Sequence, residues 1–329
     1  MKLAAYSCRP YETAAFDRYE KELGCTVIRC TETLSLENAE LSKGCEGVSI
    51  SGSGRLDREL MEALAGNGVK FIACRSIGYN HIDLNAAKEL GIRVSKGAYA
   101  PNGVADFAVL LMLMCLRHAK QAIAREGVND YPIDGLQGRE LRCLTVGIVG
   151  TGHIGRTVAK NLTGFGCKIL AYDPYPSEEL EGIAQYVSLE EIFAESDILS
   201  FHVPLNEESR HMVNRESLKK MKDGVVLINT ARGELMDTQA LIEGVESGKI
   251  GALGLDVIEG EGGIYFQDHR CSILQNQAMA YLRQFPNVTM THHIAFYTDQ
   301  AGDDMVRNAL TSLKQFEEGS VCPLEVTAE

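Results

Sequence analysis

Thr145-Val-Gly-Ile-Val-Gly150-Thr-Gly152-His-Ile-Gly155-Arg-Thr-Val-Ala159 reads as an apolar strand that turns on three glycines and enters a helix. Glycine is common, so Gly-x-Gly-x-x-Gly alone is weak evidence. The strand before it and the helix-like Ile154–Leu162 after it supply the context that makes it a dinucleotide-binding turn. Gly150 permits the tight turn, Gly152 lets the backbone approach a pyrophosphate, and Gly155 lets helix and strand pack closely. The free N–H groups at the helix start then face the phosphates. The next strand, Lys168–Tyr172, ends in Asp173, near the offset of about 20 residues expected for the acid that binds the adenosine ribose. A carboxylate there repels a 2′-phosphate, and Pro174-Tyr175-Pro176 offers no cation to receive one, so NAD is expected rather than NADP. The plainer reading of Asp173 is a turn residue ahead of Pro174.

Working outward, a series of apolar runs follows the same pattern: Leu144–Val149, Lys168–Tyr172, Ile198–His202, Val225–Asn229, Ala252–Val257 and Val288–Thr291. Six such strands make a full doubly wound nucleotide-binding sheet. An earlier series, Leu3–Ser7, Thr26–Arg29, Gly47–Ser51 and Val69–Cys74, alternates with helical stretches such as Glu12–Leu23 and Arg58–Ala65, which predicts a second parallel sheet. Between the series, Ala100–Lys120 predicts one helix, almost wholly apolar from Val104 to Leu116 and therefore buried on nearly all sides. Either it is a core helix between domains or a second subunit covers part of it.

Composition bounds the rest. At about 100–200 residues per domain, 329 residues predict two domains. Hydrophobic residues at 45% and charged residues at 23% exclude a disordered chain. A net charge of −13 argues against nucleic acid and against an anionic membrane surface. An anionic substrate would need a locally placed cation. The N-terminal stretch lacks the pattern of a signal peptide, and the longest apolar run, Phe107–Leu116, is far short of the roughly 20 residues of a membrane span. Ten scattered cysteines form no Cys-x-x-Cys and no zinc-ligand spacing. A reduced, cytoplasmic protein without structural metal is expected.

Three chemistry-bearing segments follow strand ends in the second half. Asn229-Thr-Ala-Arg232-Gly follows Val225–Ile228. Asp256-Val-Ile-Glu259-Gly-Glu261 follows Gly251–Leu255. Thr291-His292-His293-Ile-Ala-Phe-Tyr297 follows Val288–Met290. Ligands of open α/β sheets bind beyond the carboxyl ends of strands, so an arginine, a glutamate and a histidine are expected to converge there.

With these residues in view, the chain resembles the D-isomer-specific 2-hydroxyacid dehydrogenases over essentially its whole length. The motifs that carry the resemblance are Arg75–Asp83, Val149–Gly155, Phe201-His-Val-Pro-Leu205, Met221–Gly224 with Asn229–Gly233, Asp256–Glu261 and His293-Ile-Ala-Phe-Tyr-Thr298. It is most similar to the D-lactate dehydrogenase branch, with the 2-hydroxyisocaproate, phenyllactate and vancomycin-resistance enzymes. The long insert Gly262–Pro286 and Phe296-Tyr297-Thr298 point to that branch.

The resemblance implies a fold of two doubly wound parallel-sheet domains. The substrate domain would be flavodoxin-like (1–99 and 299–329) and the NAD domain of Rossmann type (100–298), with a cleft that closes on substrate. It implies that Arg232 binds the keto acid carboxylate, for which a planar guanidinium is suited. It implies that His293 protonates the ketone oxygen, since an imidazole donates and accepts near neutral pH. It also implies that Glu261 pairs with that imidazole and favours its charged form. Family spacing selects Glu261 over Glu259 and His293 over His292. By the same resemblance Ile77 and Gly78 hold the substrate carboxylate through backbone N–H groups, and Tyr99 and Tyr297 line the pocket. Likewise His153, Ile154, Val203, Pro204, Thr230, Ala231 and Asp256 contact the cofactor. Asp106 departs from the Glu of many relatives.

The implied activity is NAD-dependent reduction of a 2-keto acid, such as pyruvate, phenylpyruvate or 2-ketoisocaproate, by a homodimer that needs no metal. Reduction of hydroxypyruvate or glyoxylate is the alternative within the same chemistry. An NAD-sensing corepressor is the alternative of another class, disfavoured because such proteins carry extra tails and no tail is expected beyond Glu329.

Overall fold

The computed structural model describes residues 1–52 and 54–328. Two compact units divide the chain: Met1–Ala100 with Tyr297–Glu329, and Pro101–Phe296. Ala100, Tyr297 and Thr298 thus group with the N-terminal segment rather than with the middle one, and Glu329 lies outside the described residues.

In the first unit, five parallel strands are β1 (Lys2–Ala5), β2 (Thr26–Arg29), β3 (Gly47–Ile50), β4 (Phe71–Cys74) and β5 (Arg93–Ser95), in the order β2-β1-β3-β4-β5. This is the flavodoxin-like order. The C-terminal strand Glu325–Val326 adds to β5 and is antiparallel. Four strands were expected here. β5 is three residues long and includes Arg93, so it forms no apolar run to read. The long helix Asp299–Glu317 returns the chain and buries Val306, Ala309, Leu310 and Leu313 against Leu3, Ala5, Phe16 and Ala73.

The second unit holds seven parallel strands, not six: β6 (Thr145–Val149), β7 (Lys168–Tyr172), β8 (Gln185–Tyr186), β9 (Ile198–Phe201), β10 (Val225–Asn229), β11 (Ile250–Leu255) and β12 (Val288–Met290). Their order is β8-β7-β6-β9-β10-β11-β12, so the strand direction of winding reverses beside β6. The unread strand is β8, an edge pair of residues with one polar member. β10 shows why the sheet is stable: Val225 and Leu227 enter one apolar cluster, Val226 and Ile228 the other. Both faces are covered, as all-parallel sheets require.

The expected helix Ala100–Lys120 is two helices, Asn102–Leu116 and Ala119–Glu126, broken at His118 with φ +48°. The Leu116 carbonyl leaves the helical ladder to accept from the Arg139 amide at 3.0 Å, and such a captured carbonyl ends a helix. Beyond the break, Lys120 Nζ donates to the carbonyls of Arg283, Phe285 and Val288 at 2.7–2.8 Å. The first helix lies on Gly254 of β11, where an added Cβ would stand 3.1 Å from Leu111 Cβ. It is not buried on every side, because Leu110 is 45% exposed. Asp106 accepts from Asn161 Nδ2 at 2.8 Å and so ties this helix to His153–Leu162. No single helix among the described residues is long and apolar enough to cross a membrane.

Candidate active site

The strand registers of the second unit align its carboxyl edge. Tyr172, Val149, Phe201, Asn229, Leu255 and Met290 share one rung across β7, β6, β9, β10, β11 and β12. The next residue of each strand is therefore Asp173, Gly150, His202, Thr230, Asp256 and Thr291. Neighbouring strands stand about 4.8 Å apart, so the segments bearing Arg232, Glu261 and His293 leave the sheet side by side.

Glu261 and His293 meet directly. Glu261 Oε1 is 2.6 Å from His293 Nδ1, and Glu261 Oε2 accepts from the Ile258 amide at 2.8 Å. A ring whose Nδ1 faces a carboxylate carries its proton there and turns Nε2 outward. No hydrogen bond engages Nε2 among the described residues. His293 adopts φ +59°, a left-handed conformation that costs a non-glycine residue about 1–2 kcal/mol. Asp256 holds it there. Its carbonyl accepts from the His293 amide at 2.8 Å. Its carboxylate accepts from Thr291 Oγ1 at 2.5 Å, the Ile294 amide at 2.9 Å and the Ala295 amide at 2.8 Å. Asp256 is fully buried, and its carboxylate serves the histidine loop. Beside the pair, burial and the charges of Glu261 and Asp256 push the Tyr265 phenol up.

The competing residues are used elsewhere. Glu259 Oε1 is 3.0 Å from His211 Nε2, and His292 is exposed. Arg232 makes no hydrogen bond or ion pair with Glu261 or His293 among the described residues; its Nη1 donates to the Ala231 carbonyl at 2.6 Å. Its segment nonetheless rests on the acid loop, since a Cβ added to Gly233 would overlap the Ile258–Glu259 peptide. Asn229 shapes the turn before it, accepting from the Ala231 amide at 3.0 Å and donating to the Arg232 carbonyl at 2.8 Å.

The glycine turn fits a dinucleotide. Gly150 has φ +92°, and an added Cβ would stand 2.8 Å from the His202 carbonyl carbon and from Val203 Cγ1. A Cβ at Gly155 would overlap the Gly150 carbonyl, whereas one at Gly152 meets open space. No side chain caps the helix His153–Leu162, so its first-turn donors, at the exposed His153 and half-buried Ile154, suit phosphate. The buried Thr230 Oγ1 has no partner among the described residues, as expected of a group that serves a ligand. Asp173 accepts from the Thr151 amide at 2.7 Å and the Tyr175 amide at 2.9 Å. Val203 is half-buried beside the turn, and Pro204 is exposed. His202 is held well below the usual histidine range, at about 4, by burial, with Ser200 Oγ 2.9 Å from its Nε2.

In the first unit, Ile77 and Gly78 lie in the loop after β4. Arg75 anchors that loop from inside: Nε donates to Glu12 Oε1 and Nη1 to Ser49 Oγ, both at 2.8 Å, and Nη2 to the Tyr6 carbonyl at 2.6 Å. Ser76 Oγ donates to the Gly78 carbonyl at 2.7 Å, and the Gly97 amide donates to the Ser76 carbonyl at 2.8 Å, which ties the loop to the segment leading to half-buried Tyr99. Tyr297 is 56% exposed and packs edge-on against Tyr11, with centroids 4.8 Å apart. Tyr11 escaped the sequence reading because a tyrosine near an N-terminus carries no motif. Its ring covers Gly302, and burial, with Glu12 next, pushes its phenol up to about 12.

Known proteins resemble the chain over nearly its whole length. The model for the NAD-binding domain of D-isomer-specific 2-hydroxyacid dehydrogenases matches residues 109–295. The chain belongs to that family. The dehydrogenase is 41% identical to the aromatic 2-oxoacid reductase of Clostridium sporogenes, over 98% of each chain. It is 38% identical to the D-lactate dehydrogenase of Escherichia coli, over 99% of this chain and 100% of that one. Its structure superposes on D-2-hydroxyisocaproate dehydrogenase with a TM-score of 0.90, at 36% identity and full coverage of both chains. It is an NAD-dependent oxidoreductase that converts 2-keto acids to D-2-hydroxy acids.

Proposed function

We propose that this dehydrogenase works mainly as a reductase of 2-keto acids with an aromatic or branched side chain, and that His293 is its proton donor. The observation that carries the reading is the Glu261–His293 pair, 2.6 Å apart, at the sheet edge that also bears the glycine turn. Bound NADH supplies the hydride that C2 of the keto acid receives. His293 Nε2 gives its proton to the ketone oxygen, and Glu261 stabilises the imidazolium before transfer and orients the ring throughout. Arg232 receives the substrate carboxylate. Its contact with Ala231 occupies one of five guanidinium donors, which leaves a fork for a bidentate partner. In a chain of net charge −13 this local cation is what attracts an anion.

On the coenzyme side, Gly150, Gly152, His153, Ile154 and Gly155 receive the pyrophosphate and Asp173 the ribose. Val203, Pro204, Thr230 and Ala231 border the nicotinamide half. Asp256 acts by holding the His293 loop. The first unit binds substrate, through the Ile77 and Gly78 amides and through Tyr99 and Tyr297. The edge-on Tyr11–Tyr297 pair and the 41% identity with an aromatic 2-oxoacid reductase favour a large side chain over a methyl group. NADH oxidation with phenylpyruvate, 2-ketoisocaproate, pyruvate, hydroxypyruvate and glyoxylate tests this. The expected kcat/KM is highest for phenylpyruvate or 2-ketoisocaproate; a preference for pyruvate, glyoxylate or hydroxypyruvate would overturn it.

The working unit is a cytoplasmic homodimer. Leu110, Ile123, Val128, Tyr131 and Ile133 are exposed along one stretch of the second unit, as a subunit contact requires, and all ten cysteines are unpaired. Light scattering should give twice the 36.0 kDa chain mass, and a lower mass for Leu110→Glu.

A further inference from the structure

The short strand β8 reaches the coenzyme edge through one atom. The Tyr186 hydroxyl accepts from the Ser177 amide at 2.8 Å and donates to Thr151 Oγ1 at 2.9 Å. Thr151 is the residue between Gly150 and Gly152, and it is buried. Its amide donates to Asp173 Oδ2 at 2.7 Å, and the Tyr175 amide donates to Asp173 Oδ1 at 2.9 Å. Through Tyr175, Pro176 and Ser177 these bonds close a ring: Thr151, Asp173, Tyr175, Ser177, Tyr186, and back to Thr151. Arg156 Nη1, on the helix after the glycine turn, adds a contact to Ser177 Oγ at 3.2 Å.

The ring fixes a carboxylate at both oxygens. Each oxygen keeps acceptor capacity after one N–H bond, and with both bonds made the plane of the group cannot turn. β8 itself is a weak support, since it pairs with β7 over only two rungs, Leu170 with Gln185 and Ala171 with Tyr186. Beside the Thr151–Asp173 bond, the phenol is a second link between the glycine turn and the loop 173–177.

We propose that Tyr186 is a positioning residue for the coenzyme. Its hydroxyl holds Thr151 and Ser177 so that Asp173 presents its carboxylate to the two ribose hydroxyls and stands against a 2′-phosphate. The inference rests on the reading of Asp173 as the ribose acid. Selection of NAD over NADP is then a property of the ring rather than of one carboxylate.

Fluorescence titration of the purified full chain with NADH and with NADPH tests this without turnover. Tyr186→Phe keeps the ring packing and removes the hydrogen bonds. It should raise the NADH Kd about three- to tenfold, the value of one or two hydrogen bonds, and narrow the ratio of NADPH to NADH Kd. Thr151→Val should do the same from the other side, and Thr151→Ser should restore the parent values. The double variant Tyr186→Phe, Thr151→Val should be no weaker than the weaker single variant, because both changes remove the same link. An unchanged Kd ratio in Tyr186→Phe overturns the proposal, as do additive losses in the double variant. If Tyr186→Phe does not fold, the Thr151→Val and Thr151→Ser pair decides by the same ratio. Asp173→Asn separates the two levels. A narrowed ratio there with none in Tyr186→Phe removes only the role of Tyr186. An unchanged ratio in Asp173→Asn removes the ribose reading itself.

Discussion

Glu259 and Glu261 stand two residues apart after β11, yet each meets a different histidine. Glu261 takes Nδ1 of His293 at 2.6 Å, and Glu259 takes Nε2 of His211 at 3.0 Å. Backbone strain does not distinguish them, for both histidines have positive φ, +59° and +50°. Two other things do. The first is the nitrogen engaged: Nδ1 is close to the backbone, so pairing there aims Nε2 away from the chain, whereas pairing through Nε2 consumes the far end of the ring. The second is the support. Behind His293 lies the buried Asp256 with three side-chain acceptor contacts, and Glu261 is itself pinned by the Ile258 amide. Behind Glu259 are the half-exposed Arg210 at 3.8 Å and Thr238 Oγ1 at 3.5 Å. A proton donor needs a fixed ring with a presented nitrogen, and one pair provides it.

The largest expected difference between the pairs is in turnover. His293→Asn should lower kcat by about 10²–10⁴, the usual value of a general acid, with NADH affinity by fluorescence nearly unchanged. His211→Asn should change kcat by less than about threefold, as for a surface polar group. Equal losses in the two variants would erase the distinction between the two pairs.

Next come the carboxylates. Glu261→Gln removes the carboxylate that fixes the ring through Nδ1, so kcat should fall by about 10-fold, as for other groups that orient a functional imidazole. Glu259→Gln should leave kcat in place. A kcat unmoved by Glu261→Gln would mean that the 2.6 Å contact does not govern the proton transfer.

Asp256→Asn tests what underlies the first pair. An amide turns one of the two accepting oxygens into a donor, which then faces the Ala295 amide or, turned over, the Ile294 amide and the Thr291 hydroxyl. A loss of about 1–3 kcal/mol in urea unfolding is expected, the cost of buried groups left without partners. Turnover should fall together with stability, since His293 then loses its left-handed hold. A stable Asp256→Asn with full activity would show that the loop holds itself.

Much of this was legible in the chain before any geometry. The glycine turn is visible because its three positions serve one chemical task, and the strand ends are visible because fully buried parallel strands are continuous apolar runs. Asp173 is named by its offset after such a run, whereas Arg232, Glu261 and His293 are named through the family resemblance, because the offsets alone leave Glu259 and His292 open. What escaped was whatever depends on contact without pattern. β8 is two residues at an edge, and Tyr186 acts through one hydroxyl. The break at His118 comes from Arg139, more than 20 residues on, taking a carbonyl. Asp256 stands at a strand end like Asp173, and only the bonds to residues 291–295 show that its carboxylate faces inward to a loop. Asp106, which the sequence left without explanation, finds its partner in Asn161 on another helix.

A third histidine sharpens the comparison by having no carboxylate at all. His202 stands on the same carboxyl edge, 2.9 Å from Ser200 Oγ, and burial holds it near 4. In the unfolded chain it titrates near the ordinary value of about 6.5. Between those values the unfolded chain binds the extra proton, so stability rises with pH across this window. The contribution is complete above about 6.5 and is lost as pH falls toward 4. A shift of that size corresponds to roughly 2–3 kcal/mol over the window. His202→Gln keeps a side chain able to hydrogen-bond Ser200 and cannot titrate. Its Tm should therefore lie below the parent at pH 8, with the gap closing as pH falls to 4.5. Parallel curves for His202→Gln and the parent would mean that the imidazole takes up its proton inside the fold, and that the sheet edge between β6 and β10 is more open to water than its packing indicates.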